Sequence, residues 1–246
     1  MRLGERIRTP EGKRRYVRAL FATIADRYDL ITVLLSYGQD RRWKERLVAH
    51  ASRIAGARAL DLATGTGDIA FALARRGAHV IGLDITPRMI ELARARPDRF
   101  DPVCGGAGGA SARFLVGDMG ALPFAAQSFD LVTTGYGLRN VPDLALAIAE
   151  IRRVLKPGGQ LLSLDFNRPS NAVVRAAYLS YLAAVGGVLG WLLHRDPDTY
   201  RYIPASIRQY PGAEAVVRML CAGGFARAAY HPVLGGLMAI HHAVRD

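Results

Sequence analysis

Hydrophobic residues recur at two different spacings along this chain, and the change lies near residue 58. Before it, apolar positions repeat at helical intervals in 17–24 and again in 43–48, with Gly38 between the two stretches. From Arg58 onward, short apolar runs alternate with helical stretches, which is typical of βα units and a parallel sheet. The pattern therefore predicts an N-terminal helical lid over 1–55 that is followed by an α/β core.

The strands and helices of that core follow from the apolar runs and their flanking turn residues. Strands are expected at 58–63, 79–84, 113–117, 129–134 and 160–166, and two later runs at 225–231 and 237–244 would complete the sheet. Helices are expected near 68–76, 87–96 and 142–155. We expect a single domain with a cofactor-binding core over 56–170, a helical insertion on the substrate side over 171–212, and a C-terminal helix and strands over 213–246.

Two segments depart from this alternation. Residues 101–112 contain four glycines and three alanines, which predicts a mobile surface loop. Residues 176–193 carry no charge for 18 positions, which is the lower limit for a membrane span. Because this stretch also contains Ser180, two tyrosines and three glycines, it favours an apolar helix that is buried or docked on a surface.

Composition places the chain among globular domains and leaves the origin of its charge open. A length of 246 residues, 50% of them hydrophobic, allows one domain with a substantial core. The net charge of +12 has three interpretations: a compositional arginine bias on a solvated surface, attraction to an anionic membrane surface, or binding of nucleic acid. The cations are spread along the chain without interleaved aromatics, so no nucleic-acid partner is expected.

The N-terminus and the cysteines bear on location. Residues 1–18 are basic and lack an apolar core, so secretion is not expected. Cys104 and Cys221 lie far apart and match no metal-ligand spacing, which predicts free thiols in a reducing compartment and no metal site. We therefore expect a cytoplasmic protein, with peripheral contact at the membrane face and a homodimer both left open.

A glycine-rich turn after the first strand marks a candidate cofactor site. Its residues are Asp61, Leu62, Ala63, Thr64, Gly65, Thr66 and Gly67. Glycines allow a tight turn and a close approach of backbone to ligand, and Asp84, at the end of the second strand, could accept hydrogen bonds from both hydroxyls of a ribose. Taken alone, this arrangement also fits the dinucleotide pattern GxGxxG/A of NAD enzymes.

Later features distinguish a methyl-donor site from a dinucleotide site. The third strand ends at Gly117-Asp118 and is followed by Ala121-Leu122-Pro123-Phe124 and then by Ser128-Phe129-Asp130. In this arrangement Asp118 would accept from the exocyclic amine of adenine, and Met119 would cover the ring. Leu155-Lys156-Pro157-Gly158-Gly159, before the fifth strand, is a frequent methyltransferase turn. Together these features predict an S-adenosylmethionine site, and the alternative is that the three acids merely cap strand ends.

Motifs outside the cofactor core give the chain a specific resemblance. They comprise Phe21–Asp29 (FATIADRYD), Leu35–Gly38 (LSYG), Arg41–Lys44 (RRWK), Gly137–Val141 (GLRNV), Asp198–Tyr202 (DTYRY), Ser206–Arg208 (SIR) and Gly224-Phe225. In these motifs, from about Val17 to Arg245, the chain resembles the UbiE/MenG-type C-methyltransferases of ubiquinone and menaquinone biosynthesis. The resemblance implies the Rossmann-like class I methyltransferase fold: a seven-stranded, mostly parallel sheet with an antiparallel last strand, helices on both faces and an N-terminal helical lid.

The resemblance also implies a reaction and its contacts. The reaction would be C-methylation of the ring of a demethylmenaquinol or a 2-polyprenyl-6-methoxy-benzoquinol, and another small aromatic or a polyketide is the alternative substrate. Cofactor contacts would include Thr66, Asp84, Ile85 and the pair Asp118-Met119. Tyr28, in the entry motif, would close over the cofactor or the ring, and plain packing is the alternative role for this side chain. The family often has a serine that contacts the cofactor two residues before the Gly-Leu-Arg-Asn motif. In this chain that position is Gly135, so the serine hydroxyl is missing.

The chemistry of methylating a quinol ring adds two candidate catalytic residues. Methyl transfer is an in-line displacement, so the enzyme must orient its reactants, favour an oxyanion and receive a proton. Arg139 offers a fixed charge and a planar fork of donors for the oxyanion. Asn140 could orient a water or the carboxylate end of the cofactor. The resemblance adds His241, which lies at a position where the family also tends to carry histidine. It is either a proton acceptor or a histidine with an ordinary structural role in its strand.

A polyprenyl tail on such a ring would need an apolar place to lie. The helix expected at 176–193 and the N-terminal helices are the candidate walls of a tunnel for it, and core packing is the alternative role for any single leucine there.

Overall fold

The computed structural model describes residues 9–96, 111–196 and 199–246. The predicted loop at 101–112 lies outside these residues, except for its last two positions, which begin a strand. The lid consists of α1 (Pro10–Ile24), α2 (Tyr28–Leu35) and α3 (Asp40–Ala49). Helix α1 begins where Thr9 Oγ1 accepts from Gly12 N at 3.1 Å and Pro10 occupies the first turn.

Strands and helices alternate through the core. The strands are β1 (Arg58–Leu62), β2 (His79–Asp84), β3 (Ser111–Val116), β4 (Phe129–Gly135), β5 (Leu155–Phe166), β6 (Phe225–Val233) and β7 (Met238–Arg245). The remaining helices are α4 (Asp68–Ala74), α5 (Pro87–Arg94), α6 (Leu144–Val154), α7 (Ala172–His194), α8 (Tyr202–Gln209) and α9 (Ala213–Ala222). A short 3₁₀ helix covers Leu138–Asn140.

In the described residues, seven strands form one sheet in the order β3-β2-β1-β4-β5-β7-β6. The first five pair in parallel, and β7 runs antiparallel to both β5 and β6. The predicted fold, with its antiparallel last strand, is confirmed. Strand order reverses between β1 and β4, and ligands of open α/β sheets bind at the carboxyl ends of the strands beside such a reversal.

Helices cover both faces of the sheet, as predicted. One apolar layer joins the sheet to α3, α4 and α5, and it includes Leu47, Phe71 and Ile90. The other joins it to α6 and α9, and it includes Ile148 and Leu220. Each such side chain contributes about 1.5–3 kcal/mol when fully buried, so these layers hold the strand ends in place. Helices α1 and α2 of the lid pack separately, through small clusters that join them to α7 and α8.

Most element boundaries differ from the prediction by one or two residues, and β5 and α7 differ by more. Strand β5 begins at Leu155 rather than 160, because the Lys156–Gly159 turn is itself included in the strand. Strand β3 begins at Ser111, so positions 111 and 112 are strand and not loop. The apolar stretch at 176–193 is part of the longer helix α7, which lies on the surface with Val173 and Trp191 exposed.

Candidate active site

A cavity of about 710 Å³ opens at the carboxyl ends of β1, β2 and β4, where the strand order predicts a ligand. Its lining includes eight of the residues that the sequence assigned to the site: Tyr28, Gly65, Asp84, Ile85, Asp118, Met119, Gly135 and Asn140. The structure therefore brings acids from two strand ends, the glycine turn and the lid around one space.

The glycine turn has the conformation that its sequence requires. Gly65 and Gly67 have φ angles of 55° and 90°, in the left-handed region that favours glycine. A Cβ at Gly67 would lie 2.8 Å from Phe71 Cε2 and 3.0 Å from the ring of Phe114. Gly67 thus permits close packing of the turn against α4 and the sheet, and it does not itself line the cavity.

Asp84 lies at the cavity wall with its carboxylate held by backbone amides. Its Oδ2 accepts from Gly65 N at 3.0 Å and its Oδ1 accepts from Thr86 N at 2.8 Å. Burial raises the pKa of this carboxyl, and the two amides oppose that rise. A carboxylate fixed at a cavity wall is an acceptor suited to a pair of ribose hydroxyls.

Asp118 meets a residue of the lid that the sequence did not single out. The Nε of Arg14 on α1 lies 3.0 Å from Asp118 Oδ2, and Gly120 N donates to Oδ1 at 2.8 Å. Arg14 also lines the cavity. A surface-exposed arginine in a helix gives no local signal of such a role, because its partner lies more than a hundred residues away.

Besides Gly67, three predicted cofactor residues do not line this cavity. Asp61 is fully buried, and it accepts from Thr64 Oγ1 at 2.6 Å and from Thr133 Oγ1 at 2.8 Å. Burial raises the pKa of Asp61 to about 6, against these two hydrogen bonds. Thr66 donates to Asp29 Oδ1 at 2.8 Å. Thr64 and Thr66 instead line a small cleft of about 260 Å³ beside Tyr28.

A second cavity, of about 1430 Å³, lies between the lid and α7. Its walls are mostly apolar or aromatic, and Arg139 is the one charged side chain among the described residues that line it. Phe21, Tyr28 and Tyr136 line both cavities, so the two spaces meet at these rings. The predicted tail-binding walls, the N-terminal helices and the 176–193 helix, do line this second space.

Arg139 is held within a buried network. Its Nε lies 3.2 Å from Asp165 Oδ1, its backbone N donates to Asp165 Oδ2 at 3.0 Å, and its Nη1 contacts Ser206 Oγ. The two paired side chains are 4% and 1% exposed, and the guanidinium lies 5.1 Å from the ring centre of Phe166. Burial raises the pKa of Asp165, and the charge of Arg139 opposes this. The sequence missed Asp165 because it lies inside an ordinary strand.

Asn140 is oriented by two hydrogen bonds. Its Nδ2 donates to Tyr136 O at 2.8 Å, and its Oδ1 accepts from Tyr202 Oη at 3.0 Å. Lys13 of α1 donates to the carbonyls of Arg139 and Val141 at 3.0 and 2.7 Å, and burial lowers the pKa of this lysine to about 8. The lid therefore contacts the 3₁₀ helix that carries two predicted catalytic residues.

Tyr136 stands between the two cavities in an unusual conformation. Its φ angle is 61°, which is uncommon for a residue with a side chain. Its hydroxyl donates to Asp40 Oδ1 at 2.7 Å, and Asp40 Oδ2 lies 2.5 Å from Lys44 Nζ. Lys44 also lies 2.9 Å from Asp68 Oδ2. The buried ion pair fixes the ring that separates the two spaces.

The structure does not bring His241 to the site. Its ring is 1% exposed, its Nε2 lies 3.2 Å from the carbonyl of Ala213, and it lines neither cavity. Burial lowers the pKa of His241 to about 4, so the ring is neutral near pH 7. These contacts fit the structural alternative and not the role of proton acceptor. In the described part of the chain no cluster of three or more His, Cys, Asp or Glu side chains could hold a metal ion.

Comparison with known proteins decides the family. The model of the ubiE/COQ5 methyltransferase family matches residues 9–245. The chain belongs to the ubiE/COQ5 methyltransferase family. It is 42% identical to a demethylmenaquinone methyltransferase from Thermus thermophilus, over 90% of this chain and 98% of that one. It is 38% identical to a ubiquinone/menaquinone biosynthesis C-methyltransferase UbiE from Azotobacter vinelandii, over 95% and 91% of the two chains.

Two solved methyltransferase structures share the fold of this chain. The magnesium protoporphyrin IX methyltransferase of Synechocystis, solved with bound SAH, aligns with a TM-score of 0.62 at 21% identity and covers 95% of this chain and 100% of its own. A SAM-dependent methyltransferase from Thermotoga maritima aligns with a TM-score of 0.65 at 17% identity, over 94% and 100% of the two chains. This ubiE/COQ5 family member is an S-adenosylmethionine-dependent methyltransferase.

The first cavity fits that cofactor by the chemistry of its lining. Asp84 supplies a fixed carboxylate for hydroxyls, and Leu83, Met89 and Met119 supply apolar surface for an adenine ring. At Gly117 a Cβ would lie 2.7 Å from Leu83 Cδ1, so the wall is as close-packed as glycine allows. The ribose of an adenosine needs hydrogen-bond acceptors for its hydroxyls, and its adenine needs apolar surface against the ring. The lining of this cavity offers both.

Proposed function

We propose that this family member methylates a ring carbon of a polyprenyl quinol, either demethylmenaquinol or a 2-polyprenyl-6-methoxy-benzoquinol. The observation that carries the proposal is the second cavity, which meets the cofactor cavity at Phe21, Tyr28 and Tyr136. Its walls are mostly apolar or aromatic, and Arg139 is the one charged side chain among the described residues that line it. An apolar space of this kind suits a prenylated ring. The names of the two curated relatives support the same substrate class.

The chain's own residues would divide between the two reactants. When bound, S-adenosylmethionine supplies an electrophilic methyl group on a sulfonium. Asp84 would accept from the ribose hydroxyls, Asp118 from the adenine amine, and Met119 would cover the ring. Tyr28 would close the lid side, and Gly65 and Gly135 would let backbone approach the ligand. Asp61, Thr64, Thr66 and Gly67 would act by shaping the turn, because they do not line the cofactor cavity.

Arg139 would stabilise the quinol oxyanion that makes the ring carbon nucleophilic. Its contacts with Asp165 and Ser206 engage Nε and Nη1, and neither of these contacts uses Nη2. In an apolar cavity a fixed positive charge acts more strongly on a developing oxyanion than it would in water. Asn140, held by Tyr202, would orient a water that receives the proton, since the pKa of arginine itself exceeds about 12.

An assay with labelled methyl donor tests the substrate. The purified protein is incubated with demethylmenaquinol and, separately, with the 6-methoxy-benzoquinol, and the products are identified by mass spectrometry. We expect a single added methyl on a ring carbon of at least one of them. Methylation of neither quinol, with turnover of another small aromatic or a polyketide, would replace this proposal by that alternative.

We further propose that the enzyme works at the cytoplasmic face of an anionic membrane. Among the described residues, α7 is the one helix long and apolar enough to span a bilayer. Its Val173, Trp191 and Leu192 are 78%, 64% and 60% exposed, and the net charge is +12. An exposed apolar helix together with positive charge suits peripheral binding to anionic lipid.

Co-sedimentation with vesicles tests this location. Binding is expected to vesicles of mixed anionic and neutral lipid at low salt, to weaken at high salt, and to weaken in the variant Trp191→Ser. Absence of binding to anionic vesicles at low salt would refute the proposal.

A further inference from the structure

Three residues line the apolar cavity and yet face solvent. Tyr37, after α2, is 73% exposed, Tyr181 on α7 is 43% exposed, and Leu234, before β7, is 49% exposed. The hydroxyls of Tyr37 and Tyr181 contact each other. The three therefore form a rim where the cavity reaches the surface, built from three parts of the chain that lie far apart in sequence.

The backbone at two of these rim positions is unusual. Tyr37 and Leu234 have φ angles of 50° and 51°. Side-chain-bearing residues rarely adopt this region, and each such case costs on the order of 1–3 kcal/mol when the conformation is strained. Gly38 and Gly235, which follow them, also have positive φ angles, of 74° and 62°. Each of these two tight turns thus presents one large side chain, Tyr37 or Leu234, to the rim of the cavity.

The opposite end of this cavity is where the reaction must take place. Tyr28 and Tyr136 line both cavities, and Arg139, at 5% exposure, is the charged group inside. A ring that receives a methyl group must lie at this inner junction. A tail attached to that ring then has to run away from the cofactor, through the apolar part of the cavity.

We propose that Tyr37, Tyr181 and Leu234 form the portal through which the isoprenoid tail of the substrate leaves the cavity. The inference rests on the proposed quinol substrate. It adds that these three residues determine how strongly the enzyme prefers substrates with a long tail. Outside the portal, Leu30, Val33 and Leu34 of α2 are 51%, 53% and 42% exposed. They belong to the helix that ends just before Tyr37, and they would offer the end of a long tail apolar surface outside the cavity.

A charge placed at the rim tests the portal by kinetics. The ratio of kcat/KM for long-tailed demethylmenaquinol to kcat/KM for tail-less 1,4-naphthohydroquinone is measured in detergent solution for the wild type and for Tyr181→Glu. The ratio is expected to fall by about tenfold or more, because the glutamate removes apolar contacts from tail methylenes. The control is Val188→Glu, on the same helix, where Val188 is 59% exposed and lines neither cavity. It should keep the wild-type ratio.

A ratio in Tyr181→Glu that equals the wild-type ratio would overturn the portal. So would an equal fall with Val188→Glu, since the charge would then act through the helix and not through the rim. If the wild type methylates neither naphthoquinol, the same ratio is measured with long-tailed and tail-less 6-methoxy-benzoquinols. If no quinol is methylated, the substrate proposal fails, and the portal is judged by a second measurement that needs no turnover.

Photolabelling supplies that measurement. A farnesyl chain that carries a diazirine at its far end is irradiated with the protein, once attached to a naphthoquinone and once as the free alcohol, and labelled peptides are identified by mass spectrometry. We expect the quinone probe to label peptides that contain Tyr37, Tyr181 or Leu234. Labelling of these peptides without any methylation would leave the portal standing and the quinol substrate refuted. Labelling confined to other parts of the chain would overturn the portal.

Discussion

Arg139 and Asp165 allow catalytic and structural roles to be separated in one set of variants. The pair is almost fully buried, with side-chain exposures of 4% and 1%. Removing one partner of a buried pair leaves an uncompensated charge and costs about 3–5 kcal/mol. Since a native domain is stable by only about 5–15 kcal/mol, Arg139→Met alone and Asp165→Asn alone should both be severely destabilised. The double variant should recover most of the loss, because no lone charge stays buried.

The asparagine is chosen because it keeps an oxygen for the backbone N–H of residue 139, which Asp165 Oδ2 accepts at 3.0 Å. Urea unfolding followed by circular dichroism gives the free energies, calorimetry gives the cofactor Kd, and the labelled-methyl assay gives turnover. In the double variant we expect a folded protein whose cofactor Kd lies close to the wild-type value, since Arg139 does not line the cofactor cavity. Turnover should fall on the order of 10²–10³-fold, as when an oxyanion donor is removed.

A double variant that folds and still turns over quinol would remove Arg139 from the chemistry. Ser206→Ala serves as the control, because it removes one hydrogen-bond partner of the guanidinium and leaves the charge pair in place. It should cost about 1 kcal/mol of stability and leave turnover largely intact. A Ser206→Ala variant as inactive as the double variant would mean that turnover responds to any disturbance of this region.

Local sequence signals sufficed for the sheet and for one cavity. Strand ends in parallel βα units gather at one edge, so the order of strands and helices along the chain is enough to place Asp84 and Asp118 together. The glycine turn followed from the need for left-handed backbone at Gly65 and Gly67. These features depend on residues within a few positions of one another or on the regular alternation of strand and helix.

Long-range pairings gave no such signal. Asp165 lies within a strand that was correctly expected, but its partner is 26 positions earlier in the chain. Asp61 lies near the end of β1, much as Asp84 lies at the end of β2. Its carboxylate nevertheless accepts hydrogen bonds from two threonines and does not line the cavity. His241 is a candidate for catalysis only by its position in the family pattern. Its surroundings are set by packing against α9, which no local pattern reveals.

Three further variants test the site and the fold. Asp84→Ala should raise the cofactor Kd a hundredfold or more by calorimetry, since two charge-assisted hydrogen bonds of about 1.5–3 kcal/mol each would be lost; unchanged affinity would refute the ribose contact. Burial lowers the folded-state pKa of His241 from 6.5 to about 4. The free energy of unfolding therefore loses nothing through this histidine above pH 6.5, and it falls by up to about 3 kcal/mol as the pH drops from 6.5 toward 4. His241→Leu should flatten this part of the profile of unfolding free energy against pH, and an unaltered profile would contradict the assignment. In Gly67→Ala the new Cβ would sit on backbone with a φ of 90° and only 2.8 Å from Phe71, whereas in Gly38→Ala the backbone φ is also positive but the space around the Cβ is open. Gly67→Ala should therefore lower the melting temperature more than Gly38→Ala. Equal losses in the two variants would contradict the packing argument.

The lid connects substrate binding to cofactor binding through residues that serve both cavities. Tyr28 comes from α2 and Tyr136 follows β4, so the boundary between the two cavities has one wall from the lid and one from the sheet. Opening the lid would therefore enlarge both spaces at once. Because methyl transfer needs the two reactants in line and without intervening water, closure of a single element over both cavities would provide both conditions together. Arg14 joins α1 to Asp118, Lys13 joins α1 to the carbonyls around Arg139, and Asp29 of α2 accepts from Thr66, so both of these lid helices contact the core beside the cavities.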